Sequence, residues 1–245
     1  MTTATATYPN ETLPGVLTLT QPAVDTLMRV SLACSADPVR FQLVGVSISP
    51  VRANAGGAAI ESEICATDGK ILCVARIPTE GKLDGQVIIS DAALKMIRSQ
   101  YSKHGETLRF KKSGALVRVS VDASYTTVAI DGNETRVRHI EGTFPDYEPA
   151  INELSGKPGR IADGCSLDWR MVRRANGILG IGKDDLPLGS EDFANYREDA
   201  KSAGPLFHFR SGVLCAIMPL VATDKSLDRR AASIKAAEEF RLARQ

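Results

Sequence analysis

An excess of either charge is nearly missing from this 245-residue sequence: 30 Lys and Arg face 29 Asp and Glu, a formal net charge of +1. That balance excludes a basic tail or an acidic solvating chain and leaves only a local basic stripe as a route to polyanions. A membrane-spanning run is missing too. The longest apolar stretch, Gly212 to Ala222, is broken by Pro219 and falls far short of the roughly 20 residues a bilayer requires. The opening MTTATATYPN has neither a basic nor an apolar stretch, so no secretory leader is legible and a cytoplasmic location is expected. Five cysteines (Cys34, Cys65, Cys73, Cys165, Cys215) form an odd set without a CxxC pair, which speaks against a zinc ribbon or disulfide scaffold and for reduced, buried thiols. His104, His139 and His208 lie far apart, with no HExxH, GxSxG or paired-carboxylate spacing. No catalytic residue, metal or cofactor is therefore expected. The match to GxxxxGK at Gly177 to Lys183 lacks the following Ser or Thr and follows a helix, whereas a phosphate loop leaves a strand; a glycine-terminated helix is the better reading.

What is present is enough apolar residue, 43%, to build one large core or two smaller ones. After a flexible stretch over 1–14, Val16, Leu17 and Leu19 read as a strand. A helix follows, capped by Thr20 with Pro22 in its first turn and apolar at Val24, Leu27, Met28 and Leu32. Strand-like runs cover Phe41 to Pro50, Ala58 to Thr67 and Ile71 to Ile77, the last two joined by Asp68-Gly69 as a hairpin. A short strand, Val87 to Ile89, leads into a helix from Ala92 to about Lys103. Four more strands follow: Thr107 to Lys111, Leu116 to Val121, Tyr125 to Ile130 and Thr135 to Glu141. This strand–helix–strands order occurs twice, which implies an α+β domain of antiparallel sheets carrying two helices on one side.

The segment Phe144 to Gly159, rich in proline and glycine, reads as a boundary. Beyond it come a helix from Ser166 or Asp168 through Trp169, Val172, Ala175 and Leu179, a candidate helix over Ser190 to Ser202, and a hairpin of Leu206 to Arg210 with Val213 to Ile217. A charged helical tail over 223–245 closes the chain.

Two helices carry clustered cations. Arg170, Arg173 and Arg174 fall within about 100° of arc, opposite Val172, Ala175 and Leu179. Lys95, Arg98 and Lys103 cluster similarly against Leu94, Ile97 and Tyr101. Basic outer faces in a nearly neutral protein suit a sequence-independent phosphate track; a plain solvated helix face is the alternative.

Three motifs occur in order around this framework: Ala66-Thr67-Asp68-Gly69-Lys70-Ile71-Leu72, Phe144-Pro145-Asp146-Tyr147 and Met218-Pro219-Leu220. Their order and spacing, over Val16 to Leu220, resemble the bacterial DNA polymerase III β subunit, the sliding clamp. The resemblance implies DNA-clamp-like domains with two helices on the inner face: 15–147 matching the family's middle domain and a shortened 148–222 matching its last, with no counterpart of the first. It implies a non-enzymatic processivity factor that encircles double-stranded DNA and holds a polymerase, other clamp-binding-motif proteins and a clamp loader. Carried over position by position, the peptide cleft would be lined by Thr67, Gly69, Lys70, Ile71, Leu72, Pro145, Ala150, Ala216, Met218 and Pro219. A flexible methionine in an apolar pocket suits varied Leu- and Phe-bearing peptides.

The sequence departs from the family's pattern in three places. The first helix offers only Arg29 as a cation, Lys70-Ile71 replaces a polar-basic pair, and the second domain is short. Six domains to a ring imply a homotrimer, with a dimer as the other closed form. A clamp-fold module that captures clamp-binding peptides without encircling DNA is the rival reading.

Overall fold

The computed structural model describes residues 15–51, 61–81, 83–104, 107–110, 117–130, 133–152, 165–181, 194–195, 205–210, 212–218 and 220–221. The expected flexible 1–14, the tail 223–245 and Pro219 lie outside them. The described residues divide into two units, one of 15–68 and 73–145, the other of 69–72 and 146–221.

The first unit opens with β1 (Leu17–Leu19) and α1 (Gln21–Val30). Thr20 stands at the N-cap with extended backbone, but its hydroxyl donates to the Pro78 carbonyl at 3.2 Å instead of capping the helix. Pro22, in the first turn, requires no donor there. Ala23, Val24, Leu27, Met28 and Val30 are buried, so α1 packs through one face. The stretch expected to begin a strand at Phe41 is instead a 3-10 turn over Pro38–Leu43. Pro38 sets its first φ, and the Asp37 carboxylate accepts the Val39 N–H at 3.0 Å, which holds the chain in a turn before β2 (Val46–Pro50) can form.

Then come β3 (Glu61–Thr67), β4 (Ile71–Gly81), β5 (Val87–Ile89) and α2 (Asp91–Gln100). The β3–β4 hairpin turns at Asp68-Gly69, with Gly69 at φ 86°. β4 runs past the expected Ile77 to Gly81, whose φ of 87° brings its α-carbon against the Val16 carbonyl: an added Cβ would stand 2.2 Å from that oxygen. Helix α2 is shorter than the sequence suggested. Tyr101 and Lys103 leave it to join β6 (Tyr101–His104), which pairs with β7 (Thr107–Phe110) in the register Tyr101↔Phe110. Tyr101, Thr107 and Phe110 are residue types of high strand propensity, which favours this ribbon over one more helical turn.

The unit continues with β8 (Val117–Val121), β9 (Tyr125–Ile130) and β10 (Asn133–Arg138). The sheet order is β10-β9-β8-β1-β4, and β4 also pairs with β3, which leads through β2 to β5. Every register resolved is antiparallel. Its core is aliphatic: Leu27, Ile48, Ile64, Ile77, Ile88, Ile89 and Ile97 are all at or below 1% exposure.

The β8–β9 turn is held by Asp122, whose carboxylate accepts the Ser124 and Tyr125 N–H groups, both at 2.7 Å, and an Arg136 N–H at 3.0 Å. Arg136 in turn lies over the Tyr125 ring, 4.4 Å from its centroid. Burial alone would raise the Asp122 pKa, yet these bonds hold it below the usual carboxylate value. A depressed folded pKa stabilises the protein above the unfolded value of about 3.9 and stops doing so as pH falls through the folded one. Asp122→Ala is expected to cost about 1–2 kcal/mol at pH 7. That deficit should shrink below pH ~4, as read from urea midpoints at both pH values.

The second unit holds α3 (Glu148–Asn152), β11 (Cys165–Ser166), α4 (Trp169–Ile178), β12 (Ala194–Asn195), β13 (Leu206–Arg210), β14 (Val213–Ile217) and β15 (Leu220–Val221). The boundary segment thus carries a short helix. Ala194-Asn195, expected within a helix over 190–202, pairs with Phe207 and Leu206 as an edge strand. The β13–β14 hairpin forms as expected, turning at Gly212 with φ 75°. Helix α4 ends as a glycine-terminated helix should. Gly180 adopts φ 69°, and the Ile181 N–H reaches back to the Asn176 carbonyl at 3.0 Å. Gly177 sits inside the helix, so no phosphate loop starts there.

Candidate nucleic-acid and peptide interfaces

Helix α4 is positioned by its N-cap and its buried side. The Asp168 carboxylate accepts the Arg170 N–H at 2.9 Å, and Val172, Ala175 and Ile178 are buried. That leaves the opposite face to solvent. The Arg170 side chain is 90% exposed, Arg173 is exposed and Arg174 is half-buried. The three expected arginines therefore do share one side of a rigid helix.

Helix α2 differs. Lys95 is exposed but pairs with Asp91 one turn earlier at 2.6 Å, a surface pair that polyanions can displace at little cost. Arg98 donates to the Ser31 hydroxyl at 2.8 Å, and that hydroxyl donates to the Met28 carbonyl at 2.7 Å, so Arg98 ties α2 to the end of α1. Lys103, expected on the same helix face, belongs to β6 instead. On α1 the sole cation, Arg29, is half-buried; burial lowers its pKa while Asp25 opposes the shift.

The peptide-cleft residues divide by exposure. The second unit contains Gly69 to Leu72, Ala150, Ala216 and Met218. The Met218 N–H donates to the Lys70 carbonyl at 2.8 Å, which fixes the end of β14 against the hairpin tip. Met218 is 46% exposed, Lys70 and Gly69 are exposed, and Leu72 and Ala150 are half-buried. Ile71 and Ala216 are buried at 1% and 4%, so their side chains are packed in the interior. In the first unit Thr67 is half-buried and Pro145 exposed.

One neighbour of this set was hidden in the sequence. Arg40 donates to the Asp68 carbonyl at 3.2 Å, beside Thr67, and is flanked by Val39 and Phe41 at 84% and 51% exposure. Reading the segment from Phe41 as a strand concealed it; the Asp-Pro start was the available signal.

His139 Nε2 lies 3.0 Å from the Thr126 hydroxyl beside a groove of about 280 Å3, and its Nδ1 is enclosed without a hydrogen-bond partner. Burial pushes this imidazole below its ordinary pKa, against Asp122 and the Ala123 backbone. Cys34, Cys65, Cys73 and Cys215 are free thiols, and burial pushes Cys65 up. Among the described residues, no group of His, Cys, Asp and Glu is placed to hold a metal, and no helix is long and apolar enough to cross a membrane.

No family model matches the sequence, and no curated protein matches it. Solved structures do. Caulobacter crescentus pol III beta superposes over 87% of this chain and 68% of its own, with a TM-score of 0.55 at 16% identity. The chain has the sliding-clamp fold. The DNA polymerase sliding clamp from Bacillus subtilis matches over 89% of this chain and 67% of its own, with a TM-score of 0.56 at 13% identity. A sliding clamp from Bartonella birtlesii, solved bound to griselimycin, matches over 86% and 68%, with a TM-score of 0.54 at 16% identity. A clamp fold with antiparallel sheets and few helices agrees with the architecture expected from the motifs.

Proposed function

We propose that this chain is a sliding-clamp-like processivity factor for a DNA polymerase, binding duplex DNA without sequence specificity and recruiting polymerase through a peptide-binding cleft. The observation that carries the reading is α4: within a clamp fold, its buried side anchors it while Arg170 and Arg173 stand in solvent. Arginines presented this way contact phosphates without reading bases. The exposed Met218, held to the Lys70 carbonyl and grouped with Leu72, supplies an adaptable apolar contact for a partner peptide. Three copies of a two-unit chain supply six units, so a closed homotrimer follows by cyclic symmetry. Such a ring also requires a loader to open it. No step of this function asks for a catalytic group.

A second reading has its own support. Because α1 offers one half-buried cation and α2 spends Arg98 on Ser31, the basic track is thinner than three helices would give. A clamp-fold module that captures peptides without encircling DNA would need no such track. Incubation with nicked circular plasmid, followed by linearisation, separates the two. The processivity reading expects protein retained on circles and lost from linear DNA; equal loss from both contradicts it.

A further inference from the structure

Trp169 is the only tryptophan in the chain, and the sequence places it at the start of the helix that continues through Val172, Ala175 and Leu179. It is 60% exposed, at the first residue of α4. An indole left in solvent on a well-anchored helix presents an apolar ring to a partner, and tryptophan is enriched at interfaces for that reason. Its surroundings state the chemistry of the contact. Arg173 is its i+4 neighbour and so lies beside it on the helix surface, and Arg170 follows it directly. Both arginines are exposed. The neighbouring carboxylate of Asp168 accepts the Arg170 N–H with Oδ1 and approaches that guanidinium only to 4.0 Å.

We propose that Trp169, with Arg170 and Arg173, forms a stacking platform for unpaired bases, so that this surface takes single-stranded nucleic acid. The proposal rests on the reading that the basic face of α4 meets DNA, and it adds what part of the DNA is met. An indole offers a flat π-face, and the two guanidiniums supply charge for flanking phosphates. In duplex DNA the base faces are already stacked on one another, so only an unpaired strand can present a partner for the ring. The helix is held by its Asp168 cap and by buried Val172 and Ala175, so the platform is formed before the ligand arrives.

A single tryptophan makes the test direct, since all indole emission comes from this site. The full chain would be titrated with a dye-labelled 12-nucleotide oligo(dT) and with a blunt duplex of the same length. Dye anisotropy follows binding, and tryptophan emission follows stacking. Oligo(dT) should quench the emission while bound duplex leaves it nearly unchanged. Trp169→Ala should weaken oligo(dT) binding about tenfold, with duplex affinity held within about twofold, and Trp169→Phe should restore most of the loss. Circular dichroism would confirm that both variants fold. Oligo(dT) that binds without quenching, or a Trp169→Ala variant with unchanged affinity, overturns the stacking role and leaves the DNA reading of α4 standing. Equal quenching by the blunt duplex overturns the assignment to unpaired bases. If neither DNA binds, both readings fall together.

Discussion

Replacing Arg170, Arg173 and Arg174 together by Glu is expected to abolish retention on duplex DNA while leaving the fold intact. Each arginine that neutralises a phosphate releases a counterion, so the change acts on the term that dominates non-specific affinity. Reversing three charges turns attraction into repulsion over one helix face, and the affinity should fall by about a hundredfold or more near physiological salt. The slope of log affinity against log salt should flatten with it. Stability should change little, because the Arg170 side chain is 90% exposed and Arg173 is exposed. Glutamate in the first turn of α4 also faces the positive end of the helix dipole, which favours it. Arg174 is half-buried. The double variant Arg170→Glu/Arg173→Glu therefore separates lost DNA contact from any lost packing. Anisotropy with labelled duplex and thermal melts of both variants read out the two effects; unchanged DNA affinity in the triple variant contradicts the assignment.

The second large effect is expected at the hairpin tip. A peptide bearing the Leu and Phe anchors of a clamp-binding motif should bind the wild type. It should lose affinity by about ten- to a hundredfold when Leu72 and Met218 are both changed to Ala. Each truncation removes about 1–2 kcal/mol of apolar contact with a docked side chain. The fold should tolerate both changes. Met218 is 46% exposed and Leu72 half-buried, and the bond that fixes Met218 to Lys70 uses backbone atoms only. Ile71→Ala is the informative contrast: at 1% exposure it should destabilise the protein by about 2–4 kcal/mol and act on peptide binding only through that loss. Peptide affinity unchanged in the Leu72/Met218 double variant would remove the cleft assignment.

Much of the architecture was legible from pattern alone. Tyr125–Ile130, Leu206–Arg210 and Val213–Ile217 stand where their alternation and flanking turns placed them, and the Asp68-Gly69 hairpin forms. The misreadings have physical causes. Pro38 and the Asp37 carboxylate impose a turn on apolar residues that alternate like a strand. Tyr101 satisfies helical spacing, yet the backbone over Tyr101–His104 pairs with Thr107–Phe110 as a ribbon, which the helical period does not register. That exchange removed Lys103 from the basic helix face. Trp169 stands at the edge of the buried stripe of α4 made by Val172, Ala175 and Ile178, and helical spacing alone does not tell such an edge position from a core one. The peptide-cleft residues were reachable only through the motif resemblance. Their types are those of any apolar interior, and burial alone tells Met218 from Ile71.

The most direct measurement is the molar mass in solution by light scattering across a concentration series. The processivity account predicts a species near 79 kDa, about three chains of 26.3 kDa, persisting to low concentration as a closed ring must. A strict monomer at high concentration would contradict the encircling account and leave a peptide-capturing module of the same fold.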